Sequence, residues 1–248
     1  MISVCIATHN GECFIRHQID SILEQLGPED ELVISDDGST DNTLDIIDSC
    51  RDKRIKLFHS TAKGVNGNFE NALYNAQGDV IFLSDQDDVW IEGKVRHCME
   101  ALRNSDCVVH DAVVTDENLN VLHESFFKTN RSQKGVFHNW MKNGYLGCAM
   151  AFRRRILNEV LPIPRNLPVF HDIWIGTICG LKYKVEFIPF KGIYFRRHPN
   201  TTSVTSKTRL SLKQQLSYRL KLISFVARRL RKKHDTEKNT APEMASLR

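Results

Sequence analysis

No stretch of this chain reaches the roughly 20 consecutive apolar residues that a membrane-spanning helix needs. No basic segment precedes the first apolar run, Met1-Ile2-Ser3-Val4-Cys5-Ile6-Ala7, so that run reads as a strand and not as a signal peptide. Neither export nor a transmembrane anchor is expected. CxxC pairs are also missing: the seven cysteines, at positions 5, 13, 50, 98, 107, 148 and 179, are odd in number and scattered. That excludes a cysteine-based zinc site and a disulfide framework, and it fits reduced thiols in a cytoplasm. Internal repeats are absent, and compositional bias is confined to the C-terminal tail.

The 248 residues are 41% hydrophobic and 26% charged, which is enough for one substantial core or two small domains and is not the composition of a disordered chain. The net charge of +4 conceals an asymmetry. Residues 1–206 hold 22 Lys/Arg against 27 Asp/Glu, whereas residues 207–248 hold 12 against 3. A mildly acidic body therefore carries a strongly basic tail.

In the first hundred residues, short apolar runs alternate with helical spacing. Strands are predicted at 2–7, 31–35, 54–58 and 80–83. Helices are predicted at 12–26, through Leu44, Ile46 and Ile47 behind an Asp41 cap, and at 65–76. This alternation implies parallel βαβ units and an α/β fold. The second half is more mixed, with strands at 107–114, 148–152, 185–188 and 193–195, a short helix ending near Val160, a proline-containing loop at 161–170 and a helix at 173–179. Ligands of such sheets bind beyond the carboxyl ends of the strands. Thr8-His9-Asn10, Asp36-Asp37 and Asp85-Gln86-Asp87-Asp88 all fall at those ends, so three polar clusters are expected on one rim.

Three carboxylates within four residues repel one another unless a cation or hydrogen-bond donors offset them. Hard oxygen ligands suit Mg²⁺ or Mn²⁺ bridging a diphosphate; a solvated acidic turn is the plainer alternative. Asp36 and Asp37 fit either an Asx-type turn or a carboxylate accepting the imide N–H of uracil or thymine. Receiver domains of phosphorelay proteins also gather strand-end aspartates around Mg²⁺, but their shorter length leaves much of this chain unexplained.

The segments Val4-Cys5-Ile6-Ala7-Thr8-His9-Asn10-Gly11, Ile34-Ser35-Asp36-Asp37-Gly38-Ser39-Thr40-Asp41 and Leu83-Ser84-Asp85-Gln86-Asp87-Asp88-Val89-Trp90 together resemble family 2 glycosyltransferases. The resemblance continues through Gly147-Cys148-Ala149, His171-Asp172-Ile173-Trp174 and Tyr194-Phe195-Arg196-Arg197-His198, covering about residues 1–200. It is similar in detail to the rhamnosyltransferase-like branch of O-antigen and capsule synthesis. The resemblance implies a GT-A fold, in which a Rossmann-like nucleotide-binding half (1–105) and an acceptor half (106–206) share a mixed central sheet. It further implies inverting transfer from a UDP-hexose or dTDP-rhamnose to a glycan acceptor of the kind borne on a lipid carrier.

By the same resemblance, Thr8, Asn10, Asp36 and Asp37 line the base and ribose pocket, and Asn68 makes a polar contact near the nucleotide. Asp85 faces the ribose or sugar, and Asp88 supports the loop or orients the donor. Asp87 is the principal ligand of Mn²⁺ or Mg²⁺, and His198 completes the metal shell or meets the diphosphate. Arg196 and Arg197 are candidates for phosphate contacts, and Asp172 matches the catalytic base. His171 stands where many members have Glu, and its role stays open. A non-catalytic sugar- or nucleotide-binding protein on the same fold is the alternative of another class.

Between Lys207 and Lys233 there are ten Lys/Arg and no Asp/Glu, with Leu212, Leu216, Leu220, Ile223 and Leu230 on one helical stripe. A basic amphipathic helix over 207–233 suits an anionic membrane surface, and packing onto the body or onto a second copy are the alternatives. Aromatic residues are too sparse there to indicate nucleic acid. Residues 234–248 are expected to be disordered, and the protein to be cytoplasmic, with peripheral placement on the inner face of the cytoplasmic membrane.

Overall fold

Apolar runs without alternation make the centre of the sheet, where strands are covered on both faces. The computed structural model describes residues 1–199 and 211–240. Strand β1 (Ile2–Thr8) leads to helix α1 (Ile15–Leu23), β2 (Glu31–Asp36), α2 (Thr43–Ser49), β3 (Ile55–His59), α3 (Val65–Asn75) and β4 (Val80–Ser84). These are the alternating units expected from the sequence. All of β2 and β4 is buried, whereas β3 alternates in exposure as an edge strand does. Ile15, Ile19 and Ile22 of α1 are fully buried and pack into the same core as Val4, Ile6 and Phe82.

The second half adds β5 (Val89–Trp90), α4 (Lys94–Ala101), β6 (Cys107–Thr115), β7 (Val121–His123), α5 (Phe126–Asn130), α6 (Val136–Met141), β8 (Met150–Arg153), α7 (Leu157–Val160), α8 (His171–Lys182), β9 (Val185–Arg196) and α9 (Leu212–Thr240). The strand order is β3-β2-β1-β4-β8-β6-β9-β5, with β7 paired to β6. Strands β1 to β4 pair in parallel, β8 runs antiparallel to both β4 and β6, and β6 and β9 are parallel. The sheet is therefore mixed.

Several sequence expectations are corrected. The strand expected at 148–152 begins at Met150, because Gly147–Ala149 form a 3-10 turn. The two strands expected at 185–188 and 193–195 are one, interrupted by a bulge: His110 pairs with Ile188, Asp111 with Lys191 and Ala112 with Ile193. Pro189, which has no N–H for a ladder, falls within the surplus residues. Helix α4, which was not expected, packs Val95, Cys98 and Ala101 against the core and buries Lys94 as well. The seven thiols are all free, as expected.

Among the described residues, Met1–Ile163 and the chain from Phe170 form one compact unit, and Pro164–Val169 with α9 form a second. The start of the expected tail at 207–210 lies outside the described residues, as do 241–248. Helix α9 runs on to Thr240 rather than ending at 233, with no glycine or proline intervening before Pro242. Its buried side chains are Leu222 and Val226, whereas Leu216, Leu220 and Ile223 are about half exposed. The expected apolar stripe is thus not the buried face. No helix among the described residues is long and apolar enough to cross a membrane.

At the bulge, a Cβ added to Gly192 would lie 2.7–2.9 Å from ring atoms of His110, which is itself fully buried. Gly192→Ala is therefore expected to destabilise the fold by about 1–3 kcal/mol through overpacking. Urea unfolding should show a lower midpoint with an unchanged m-value.

Candidate functional site

Strands β1 and β4 are parallel neighbours, yet the chain leaves β1 toward β2 and β3 and leaves β4 toward the opposite side of the sheet. That reversal opens a crevice beyond their carboxyl ends. A cleft of about 600 Å³ occupies it, walled by Thr8, Asn10, Asp37, Asn68, Asp85, Asp87, Asp172 and His198 among others.

Gln86 ties the two strand ends together. Its Oε1 accepts from Thr8 Oγ1 at 2.6 Å and from the His9 N–H at 2.9 Å, and its Nε2 donates to the His9 carbonyl at 3.2 Å. Gly11 is confined by this clasp, because a Cβ there would lie 2.5 Å from Gln86 Oε1. Asn68 Nδ2 donates to the Thr8 carbonyl at 2.9 Å, and Asn10 Oδ1 accepts from the Thr40 N–H at 2.9 Å.

The two aspartates ending β2 diverge. Asp36 is buried and accepts from the Gly38 and Ser39 N–H groups at 2.8 and 2.9 Å, so its carboxylate is spent on the turn and does not wall the cleft. Asp37 does wall it, and its carboxylate accepts from the Gly64 N–H at 2.7 Å and pairs with Lys63 at 3.2 Å.

Beyond β4, Asp87 Oδ2 lies 2.8 Å from His198 Nε2. Phe14 backs this pair, with its ring 4.8 Å from the His198 ring and 4.6 Å from the Arg196 guanidinium. Arg196 is 4% exposed; its Nε donates to the Asp87 carbonyl at 2.7 Å, its Nη1 to the Glu117 carbonyl, and its N–H to Asp88 Oδ1 at 3.0 Å. It braces the acidic loop from behind. Arg197 lies against the Phe195 ring at 4.7 Å and is not among the residues walling the cleft.

Ligand atoms of Asp85, Asp88 and Cys148 all lie within 4.8 Å of one another. Loss of hydration, then the fields of Asp88, Asp87 and Asp172, push Asp85 well above the ordinary carboxylate range. Burial followed by the Asp87 charge brings Asp88 up to about 7, and its Oδ2 is buried without a partner. Burial pushes the Cys148 thiol up as well, so with no cation beside it the thiol stays protonated. A divalent cation fits this donor set. Its ligands would be hard carboxylate oxygens plus an imidazole, and the 2.8 Å edge between Asp87 and His198 approximates the ~3 Å spacing of adjacent ligands around Mg²⁺.

Across the cleft, Asp172 sits in the first turn of α8, where its Oδ1 accepts from the Ile173 N–H at 2.7 Å. Burial is the larger influence and raises it to about 6, against the backbone N–H groups of Ile173, Asp172 and Gly147. A carboxylate so raised is matched to removing a proton from a hydroxyl near neutral pH. His171 stacks on Phe69 at 3.7 Å between ring centroids, and burial holds it down near 3, so the imidazole is neutral. Sequence reasoning missed Phe14 and the fully buried Lys94, which carry no spacing signal of their own, and it quoted Gln86 and Cys148 within motifs without giving either a role in the site.

Residues 3–161 match the family described as Glycosyl transferase family 2. The chain is 37% identical over 112 residues to the dTDP-rhamnosyl transferase RfbG of Shigella flexneri, covering 41% of this chain and 39% of that one. It is 30% identical over 184 residues to the Escherichia coli protein WfgD, named UDP-Glc:alpha-D-GlcNAc-diphosphoundecaprenol beta-1,3-glucosyltransferase, covering 72% and 70%. Among solved structures, residues 1–349 of S. aureus TarS in complex with UDP-GlcNAc superpose with a TM-score of 0.68 at 19% identity, over 92% of this chain and 66% of that one. The chain thus spans less than two thirds of RfbG and about two thirds of the TarS fragment. At that identity the superposition establishes the fold alone, and the fold is GT-A-like.

Holding Asp172 as a carboxylate costs stability above its folded value of about 6, because the folded state takes up the proton more readily than the unfolded chain does. The protonated form's contribution is full below about 4 and is lost as pH rises through about 6. Asp172→Asn is therefore expected to raise the melting temperature at pH 8 by roughly 2–4 °C. At pH 4 the two proteins should melt together, and a gain of equal size at both pH values would contradict the charge explanation.

Proposed function

The chain belongs to glycosyl transferase family 2, and on that premise we propose that it moves one sugar from a nucleotide diphosphate onto a hydroxyl of a lipid-linked glycan acceptor, with inversion and with divalent-metal dependence. The donor is a UDP-hexose or dTDP-rhamnose, and the product belongs to a surface polysaccharide such as O-antigen or capsule. What carries this is the convergence of Asp85, the Asp87–His198 pair and Asp172 on one cleft whose far wall holds Thr8, Asp37 and Asn68. The names of RfbG and WfgD support both donor classes, and that of WfgD supports a diphosphoundecaprenol-linked acceptor.

In this mechanism the base and ribose lie against Thr8, Asn10 and Asp37, with Asn68 holding the Thr8 carbonyl and Asp36 shaping the turn. Asp87 and His198 would hold Mn²⁺ or Mg²⁺, and the bound ion would supply Lewis-acid compensation for the charge that develops on the departing diphosphate. Asp85 faces the ribose or sugar, and Asp88, fixed by the Arg196 N–H, supports the loop. Arg196 and Arg197 contribute positive charge near the diphosphate without direct contact being required. Asp172 takes the proton of the acceptor hydroxyl as its oxygen attacks the anomeric carbon opposite the leaving group. One C–O bond forms as the other breaks, so no nucleophilic Ser or Cys takes part.

Thermal unfolding with UDP, dTDP and GDP, each with Mn²⁺ or with a chelator, tests the donor site. One nucleotide at about a hundred times its dissociation constant should raise the transition by roughly 5–10 °C, and only with the metal. Asp87→Ala should lose the metal-dependent part, while Asp172→Asn should keep it and lose turnover. No shift with any nucleotide would refute the assignment.

The outward row Leu216, Leu220 and Ile223, with Lys213 and Lys221 exposed on the same helix, favours docking on an anionic membrane through the tail. Self-association through that row into a homo-oligomer is the competing use. Sedimentation with vesicles should find the protein on those containing anionic lipid, released by high salt and by the double change Leu220→Glu with Ile223→Glu. Equal recovery on zwitterionic vesicles, or concentration-dependent self-association lost in the double variant, would count against membrane docking.

A further inference from the structure

Lys94, at the start of α4, is fully buried. Taking an ammonium out of water costs several kcal/mol unless its surroundings compensate, and an apolar side chain would fill that helix position without the cost. Nζ donates to the Cys148 carbonyl at 2.8 Å and lies 3.8 Å from the centroid of the Trp90 ring. Burial lowers its pKa to about 8, against the opposing fields of Asp88 and Asp85, so it remains largely cationic at neutral pH.

Both of its connections lead to the cleft. The carbonyl it holds belongs to the Gly147–Ala149 turn, and Gly147 of that turn packs directly against the base, since a Cβ added there would lie 3.3 Å from Asp172 Cβ and 3.0 Å from His171 Nε2. Asp85 and Asp88, which follow β4, act on the ammonium through their charge and share their cluster with the Cys148 thiol. The residue whose carbonyl the ammonium holds thus meets the donor-side carboxylates with its side chain and adjoins the turn glycine that meets the base. The remaining buried cation in this region, Arg196, is already committed to the carbonyls of Asp87 and Glu117.

We propose that Lys94 is a positioning residue of the transfer reaction: by anchoring the Cys148 carbonyl beside the Asp85 and Asp88 carboxylates, it fixes the placement of Asp172 relative to the donor. This rests on the glycosyl-transfer reading above. A base displaced by about 1 Å loses on the order of a hundredfold in rate, whereas the nucleotide is held by groups Lys94 does not touch. Its loss should therefore lower kcat far more than it weakens donor binding.

The test compares wild type with Lys94→Met and Lys94→Gln. Release of UDP from UDP-glucose, or of dTDP from dTDP-rhamnose, is followed with Mn²⁺ and with water as acceptor; melting with and without the nucleoside diphosphate is recorded alongside. Expected is that at least one variant folds, keeps the metal-dependent nucleotide shift and a donor KM within about threefold, and loses about tenfold or more in kcat. A folded variant with a smaller loss in kcat overturns the proposal, as does loss of nucleotide binding together with turnover. Failure of both variants to fold also overturns it, since Lys94 would then serve folding. Wild type inactive on both donors indicts the transfer reading and not Lys94, because the variants are scored against wild-type turnover.

Discussion

Four carboxylates, Asp85, Asp87, Asp88 and Asp172, are gathered at one end of the sheet, and among the described residues there are too few cations to neutralise them. Their mutual repulsion is visible in the upward displacement of Asp85 and Asp88, where the neighbouring aspartates add to the effect of burial. Much of the surrounding structure answers that repulsion. The Arg196 N–H meets Asp88, the His198 imidazole meets Asp87, and the Lys94 ammonium lies behind. What remains is a deficit of positive charge facing the cleft, which suits a divalent cation accompanied by a diphosphate.

Such a cluster is useful only if its backbone does not relax away from the strain. Gln18 on α1 donates to the Asp85 carbonyl at 2.9 Å, and Trp90 Nε1 donates to Ser84 Oγ at 3.0 Å. Gln86 clasps Thr8 and His9 across the crevice. The loop after β4 is thereby held by a helix before it in sequence, a strand beside it and the residues just after it, so the carboxylates are fixed before any ligand arrives.

Much of this was legible in the sequence because it is written in local patterns. The apolar runs of β1, β2 and β4 and the helical spacing of Ile15, Ile19 and Ile22 report a buried parallel sheet with covering helices, and the acidic clusters follow at the strand ends. Where the reading failed, tertiary contact overrode local signal. Asp36 and Asp37 are equivalent by composition, yet a turn uses one and the cleft receives the other. Arg196 has the charge of a phosphate ligand but spends its donors on two carbonyls. Lys94 drew no reading at all, since burial of a lysine depends on a partner 54 residues away in the chain.

Phe14 lies just before the first helix, yet its ring meets Arg196, which ends the last strand of the sheet, and His198, which follows it. The crevice is bounded by the first and fourth strands, but its acidic side is completed by residues nearly two hundred positions downstream of the first. Contacts of that sequence separation close late and slowly. A nascent chain that has emerged only through β4 therefore possesses the strand ends and their acidic loop without the imidazole that faces them. During synthesis, the pairing of Asp87 with His198 therefore arrives late, when the closing segment packs back onto the element that was made first.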